Sequence, residues 1–334
     1  MAISAFNHPL NLIPDQVGPS VASGCPVLVK PAKDTPLSCK SFVEILYEAG
    51  LNENWCRFVP CSDEVAEKMV TDPRTAFFSF IGSARVGWML RSKLAPGTRL
   101  ALEHGGAAPV LVDEGVASGK VIPPLLKGGF YHSGQVCVSV QRVFVPRAEL
   151  PDFAAELAEG AEALTVGDPT KAETQCGPLI RPAEVDRVAS WVDAAVQGGA
   201  RLAAGGKRMG STLYQPTVLV DPPCDADVSQ KEVFGPVVCI YGYDDVDAAI
   251  GQANALPYAF QAAVFTDRMS WADYCVETLA ASAVMVNDHT AFRVDWMPFA
   301  GRRQSGLGTG GIGYTMVDMS EEKMVVVNAP SSVR

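Results

Sequence analysis

Cys25-Pro26-Val27-Leu28-Val29-Lys30-Pro31, followed by Asp34-Thr35-Pro36-Leu37-Ser38, decides the fold class. The first stretch is a short apolar run closed on both sides by proline, which reads as a buried strand ending in a lysine. The second reads as a helix start, with Thr35 as cap and Pro36 in the first turn, where its missing N–H costs nothing. The helix is expected to run to Gly50 with Phe42, Ile45, Leu46 and Ala49 on one face. A strand at Phe58-Val59, a helix over 64–71 and a strand over 77–80 continue the alternation. Strand and helix taking turns in this way imply a parallel sheet flanked by helices, an α/β fold.

Reading outward, residues 3–13 begin apolar and reach Asn7-His8-Pro9, so polar side chains fall at a strand end. Ligands collect at such ends in open α/β sheets. Asn7 is either an oxyanion donor or a turn former before proline. Phe80-Ile81-Gly82-Ser83 is a strand running into a helix whose free N–H groups suit a pyrophosphate, although no Gly-x-Gly-x-x-Gly is present. Leu102-Glu103-His104-Gly105-Gly106 is a strand ending in a carboxylate and a glycine pair. A domain boundary is expected after residue 104, dividing the chain into 1–104, 105–300 and a returning segment 301–334. The second part repeats the α/β pattern, with helices over 150–164, 183–198, 244–254 and 271–279 and strands over 214–220, 262–265 and 283–287. Val185, Val188, Val192 and Val196 are the expected inward face of the helix over 183–198. The apolar run 323–327 reads as a terminal strand that needs a partner, for example in a second subunit.

The 334 residues carry a net charge of −10, which disfavours nucleic acid as a partner. No apolar run approaches the roughly 20 residues of a membrane span. The start, Met1-Ala2-Ile3-Ser4-Ala5-Phe6, lacks the basic and apolar regions of a secretory signal. Nine scattered cysteines without Cys-x-x-Cys, and four histidines set apart from them, imply a reducing, cytoplasmic setting and no metal site.

Among the cysteines, Cys137 stands out by its surroundings, Gly128-Gly129-Phe130-Tyr131-His132-Ser133-Gly134-Gln135-Val136-Cys137-Val138-Ser139-Val140-Gln141-Arg142. A flexible polar approach precedes it and an alternating valine run follows. On that stretch alone a packing role is the default for a free thiol. The other eight cysteines read as packing residues.

Seven stretches taken together and in order resemble the aldehyde dehydrogenase superfamily. They are Phe6-Asn7-His8-Pro9, Val29-Lys30-Pro31-Ala32, Phe80-Ile81-Gly82-Ser83, Leu102-Glu103-His104-Gly105-Gly106, Gly134-Gln135-Val136-Cys137, Glu232-Val233-Phe234-Gly235-Pro236 and Pro298-Phe299-Ala300-Gly301 with Ser305-Gly306-Leu307-Gly308. The resemblance implies two Rossmann-like parallel α/β domains, the first lacking its amino-terminal segment. It also implies oxidation of a small-molecule aldehyde with NAD or NADP, and assembly into a homo-oligomer where the assembly surface survives. By the same resemblance Cys137 is the nucleophile, Asn7 the side-chain half of the oxyanion hole and Glu103 the general base. Lys30 contacts the adenosine ribose, Gly82 and Ser83 the pyrophosphate and Glu232 the nicotinamide ribose, while Phe234 packs beside the nicotinamide.

The residue types suit a thioester cycle: thiolate attack, an oxyanion met by an amide and a backbone N–H, loss of hydride, then base-assisted hydrolysis. Three departures from the family pattern stand out. The family's long segment ahead of Asn7 is missing, which would leave apolar sheet surface uncovered. His104 and Ile81 replace the usual leucine and threonine. Lys33 stands where NAD-preferring members often carry a glutamate, which makes NADP plausible. His289 and Arg293 fall where the family lines its aldehyde pocket, and Arg293 suits an anionic aldehyde, against a structural pairing such as with Asp295. Two alternatives are a non-catalytic relative serving as scaffold or partner subunit, and an acylating enzyme passing the thioester to coenzyme A. Retention of Glu103 favours hydrolysis over the latter.

Overall fold

A computed structural model describes residues 1–328. The first six strands are β1 (Ala2–Ile3), β2 (Val27–Lys30), β3 (Cys56–Phe58), β4 (Phe77–Ile81), β5 (Arg99–Glu103) and β6 (Ala108–Val112). The chain continues through β7 (Val140–Pro146), β8 (Arg201–Ala204), β9 (Thr217–Val220), β10 (Val237–Tyr243), β11 (Tyr258–Ala259) and β12 (Gln261–Phe265). The last three strands are β13 (Ala283–Val286), β14 (Arg302–Arg303) and β15 (Gly306–Leu307). They form a six-stranded sheet, β15-β5-β4-β1-β2-β3, a seven-stranded sheet, β13-β12-β6-β7-β10-β9-β8, and the β11-β14 ribbon. The two large sheets are parallel throughout except at one edge each, β15 and β8. The chain changes sheet between Glu103 and Ala108, and returns at β15, which pairs with β5 through Gly306↔Glu103.

Helices α1 (Leu12–Ala22), α2 (Pro36–Glu48), α3 (Asp63–Val70) and α4 (Ala84–Arg91) serve the first sheet. Helices α5 (Ser118–Phe130), α6 (Leu150–Glu162), α7 (Pro182–Gln197), α8 (Asp227–Gln230), α9 (Val246–Asn254) and α10 (Met269–Thr278) serve the second, and α11 (Ile312–Asp318) packs on α1. The seven-stranded sheet is covered on both faces. Leu111, Phe144, Leu219 and Ile250 belong to one core, Val110, Val143, Phe153 and Leu157 to the other. Burial on both faces is why these strands read as continuous apolar runs.

Several expectations need correction. Thr35 does not cap α2; its hydroxyl is buried without a partner. The buried face of α2 is Cys39 and Val43, whereas Ile45 is 59% exposed and Ala49 lies on the surface. In α7 the inward stripe passes through Ala189 and Ala195 in place of Val196. Helix α5, hidden from sequence reading by Pro123-Pro124, lies just beyond the expected boundary after residue 104. Residues 323–327 form no strand in the single chain; Met324 to Val327 are exposed, since no strand of the same chain lies alongside to pair with them. Residues 329–334 lie outside the described residues.

Candidate active site

The carboxyl ends of the first sheet's parallel strands carry much of the expected set. Lys30 ends β2, Asn7 follows β1, Gly82 and Ser83 follow β4, and Glu103 ends β5. The second sheet presents strands by their amino ends: Cys137 precedes β7, and Glu232 and Phe234 precede β10. Side-chain contacts join the two. Phe6 packs edge-on against Phe234 with ring centroids 5.8 Å apart, and His8 lies 4.5 Å from the His132 ring. Asn7 therefore sits between two residues held against the Phe234 loop and the approach to Cys137, and its own amide has no protein partner among the described residues.

That approach is a left-handed turn. His132 and Ser133 have φ of 49° and 56°, and Gly134 follows at 69°. Non-glycine residues in this region are strained and persist only where surrounding contacts hold them. Ser133 Oγ donates to the Gly177 carbonyl at 2.6 Å, and Gln135 accepts from the Ile180 N–H at 2.9 Å. Gly134 has no alternative, because a Cβ there would lie 2.1 Å from the Gly235 carbonyl oxygen. The Cys137 and Glu232 loops thus touch backbone to backbone.

Cys137 is half-buried and packs against a cluster of Val136, Val138, Phe260 and Phe299. Burial pushes its thiol up to about 12, with the charges of Glu232 and Glu103 adding to the rise; Arg293 and the residue's own N–H act the other way. Burial likewise lifts Glu103 to about 7 against the pull of Arg293, and Asp15 pushes in the same direction as burial. Glu232 rises to about 8, also from burial, with the Gly106 amide and Arg187 opposing. Cys137 therefore lies within electrostatic reach of Glu103, Glu232 and Arg293, and Glu103 within that of Arg293.

Arg293 does not pair with Asp295. Its guanidinium donates to Asp15 Oδ2 at 2.8 Å and lies 4.5 Å from the centre of the Phe299 ring, and its Nε is buried without a partner. His289 is buried, in contact with Gly128, and its Nδ1 accepts the Ala291 N–H at 3.2 Å, a packed position instead of an open pocket wall. Lys30 is buried with Nζ 3.6 Å from Asp63, while the exposed Lys33 pairs with the same carboxylate at 2.8 Å. Of the other cysteines, Cys39, Cys56, Cys176, Cys239 and Cys275 are buried as expected of packing residues, but Cys224 is exposed. Sequence reasoning missed Asp15, which carried no motif, and Gln141, whose buried amide has no local signal. Among the described residues no group of three or more potential metal ligands occurs, and no helix is long and apolar enough to cross a membrane.

The residues present fit a dinucleotide. Glu232 Oε1 is buried and unpartnered, and its carboxylate fills the space beside Gly105, where a Cβ would come within 1.5 Å of that oxygen. An orphaned acceptor in such a place suits a hydroxyl-bearing ligand. Ser83, at the start of α4, makes no side-chain bond to its own helix.

Two largely parallel sheets meeting at a crevice rimmed by strand ends define a doubly wound, dinucleotide-type α/β protein. More particularly, the chain belongs to the aldehyde dehydrogenase family: the sequence model described as "Aldehyde dehydrogenase family" matches residues 1–325. The family's cofactor is NAD or NADP. The 3-sulfolactaldehyde dehydrogenase of Priestia aryabhattai is 37% identical over 328 residues, 98% of this chain and 68% of the relative. An aldehyde dehydrogenase of Physcomitrella patens, solved with its reaction product succinate, superposes with a TM-score of 0.95 at 34% identity, covering 99% of this chain and 69% of the other. The glyceraldehyde-3-phosphate dehydrogenase of Methanocaldococcus jannaschii, solved with NADP, gives a TM-score of 0.92 at 32% identity, covering 96% and 70%. The chain thus spans a little over two thirds of the length of these proteins.

Proposed function

We propose that this chain oxidises an aldehyde to a carboxylic acid with NAD or NADP, using Cys137 as nucleophile. The observation that carries the reading is the placement of Cys137 within the electrostatic reach of two half-buried carboxylates, Glu103 and Glu232, both raised from the usual carboxylate range to about 7 and about 8. A thiol pushed to about 12 cannot act as a resting thiolate; its proton must leave as sulfur attacks the carbonyl carbon. Glu103, at about 7, is the nearest match for receiving that proton at neutral pH. The oxyanion is met by the Asn7 amide and the Cys137 N–H, each such donor contributing about 3 kcal/mol. Gly82, Ser83, Lys30 and Glu232 would hold the dinucleotide, with Phe234 against its nicotinamide and Lys33 near the adenosine ribose. When bound, the nicotinamide ring supplies the hydride acceptor. Cys137 is left as a thioester. Glu103 releases the thiol's proton to solvent, then draws a proton from water; the hydroxide adds to the thioester carbon, the thiolate leaves and takes the proton from Glu103, and the carboxylic acid departs.

Arg293 directs the reading toward an anionic aldehyde. Its unpartnered Nε keeps one donor free although Asp15 occupies another. Three relatives' printed names also concern anionic compounds, 3-sulfolactaldehyde, succinate and glyceraldehyde 3-phosphate, while others name betaine aldehyde and lactaldehyde. The deciding experiment follows NAD(P)H production with anionic, neutral and quaternary-ammonium aldehydes beside a Cys137→Ala control. Absence of turnover by folded, cofactor-saturated protein would sink the enzymatic reading.

A further inference from the structure

We propose that Gln141 is a positioning residue for the nicotinamide cofactor: its buried side-chain amide clamps the loop on both sides of Glu232. Gln141 lies on β7 and is 4% exposed. Its Nε2 donates to the Val228 carbonyl at 3.0 Å and to the Lys231 carbonyl at 2.7 Å, and its Oε1 accepts the Val233 N–H at 2.9 Å. The carbonyl just before Glu232 and the N–H just after it are therefore both held by one amide. The match is chemical as well as geometric. Two carbonyls and one N–H need two donors and one acceptor on a short planar group, which the primary amide supplies. A carboxylate would face two carbonyl oxygens with no proton to offer. An apolar side chain would leave three backbone groups unpaired in the interior.

The consequence is registration. Cys137 and Gln141 belong to one continuous stretch entering β7, so the thiol and the clamp share a rigid base. The clamp fixes Glu232, whose carboxylate is pressed over Gly105 with Oε1 unpartnered. Arg187 adds a bond from outside, donating to the Val233 carbonyl at 2.7 Å, but it touches only the far side of Glu232. Strand β7 thereby sets both the attacking sulfur and the carboxylate that would receive the cofactor's ribose. Errors of about 1 Å in such a relation cost about a hundredfold in rate.

The inference rests on reading Glu232 as a ligand of the cofactor ribose, and the test separates the two. The dissociation constants of NADH and NADPH are measured by fluorescence titration for the wild type, Q141E, Q141M, E232Q and the doubles Q141E/E232Q and Q141M/E232Q. Iodoacetamide alkylation of Cys137 in the free protein is followed in parallel, and circular dichroism checks folding. The expectation is that E232Q and each Gln141 variant weaken the better-bound cofactor by about tenfold, equivalent to about 1.4 kcal/mol. The doubles should be no weaker than the worse single, because Gln141 acts through Glu232. Alkylation of Cys137 in Q141M should shift in the same direction as in E232Q, because displacing Glu232 changes the charge acting on the thiol. Wild-type affinity in folded Q141E and Q141M, with E232Q weakened, overturns the clamp alone. Penalties that multiply in the doubles also overturn it. Wild-type affinity in E232Q removes the ribose reading and the clamp's function with it. If neither Gln141 variant folds, the residue is a folding determinant and the proposal falls.

Discussion

Replacing Glu103 with glutamine should stabilise the protein above neutral pH while abolishing turnover. The Glu103 carboxyl titrates near 7 in the fold, against a usual 4.5, chiefly because burial disfavours its charge. The sign follows from linkage: the folded state holds the proton more tightly than the unfolded chain. The contribution is fully present below 4.5 and is lost as pH rises through 7. At 1.36 kcal/mol per pH unit, that interval amounts to about 3 kcal/mol. Glutamine does not titrate, so the difference between wild type and E103Q isolates this residue while Glu232, present in both, cancels. Urea unfolding of both proteins at a series of pH values is the assay, with the slope m checked for constancy. E103Q should gain about 3 kcal/mol relative to wild type between about pH 4.5 and about pH 8. In stopped flow E103Q should lose both the first turnover and the steady state, because the base is needed for thiol attack as well as for hydrolysis. A stability difference flat across that pH range would refute the assignment of a buried, proton-holding carboxylate at Glu103.

Three further outcomes are expected. E232Q removes the largest charge acting on the Cys137 thiol, so iodoacetamide alkylation at about pH 9 should speed up roughly threefold or more; an unchanged rate would separate the two groups. Asp15→Asn releases the Arg293 guanidinium, so the KM of anionic aldehydes should fall roughly fivefold while Arg293→Ala raises it, with neutral aldehydes unmoved. Equal changes for charged and neutral aldehydes would count against an anion site. Lys33→Glu should shift preference from NADP toward NAD by roughly fivefold, the scale of an exposed charge; an unaltered NADP/NAD ratio would remove Lys33 from the cofactor site.

What the sequence made legible follows from what each signal measures. Strands of parallel sheets bury both faces and so announce themselves as apolar runs, as in 262–265, where every residue of β12 is buried. Most of the longer helices were equally plain, but their facing was not. Ile45 and Val196 satisfied the periodicity and still face solvent, while the smaller Cys39 and Ala195 took the contact positions. Close packing selects by fit, which hydrophobicity alone does not encode. Helix α5 was invisible because Pro123-Pro124 argues against any helix locally, and tertiary burial of Val121, Ile122 and Leu125 overrides that preference. At the site, Cys137, Asn7 and Glu103 stood out only through the resemblance of their motifs to the aldehyde dehydrogenase family; position alone left Cys137 a packing residue and Asn7 a turn former. Their charge environment was not legible: Asp15 and Arg293 are 278 residues apart and meet only in the folded chain. Likewise Gln141 looks like one more polar residue in a valine run until the Glu232 loop folds onto it.

The electrostatics of the site bear on when Cys137 becomes reactive. With its thiol at about 12, only about one molecule in a hundred thousand carries a thiolate at neutral pH. Glu232, at about 8, is mostly neutral under the same conditions. A ribose donating two hydroxyls is better received by the ionised carboxylate, so binding favours release of the Glu232 proton. A charged Glu232 then raises the thiol further. The thiol alone therefore does not become a better nucleophile as the site fills; its reactivity must come from transferring the proton during attack. Glu103 is the group able to take it, and Arg293 favours the charged form of both Glu103 and the thiol. On the proposed reading of Cys137 as nucleophile and Glu103 as base, the raised thiol would make the nucleophile depend on the base from its first step.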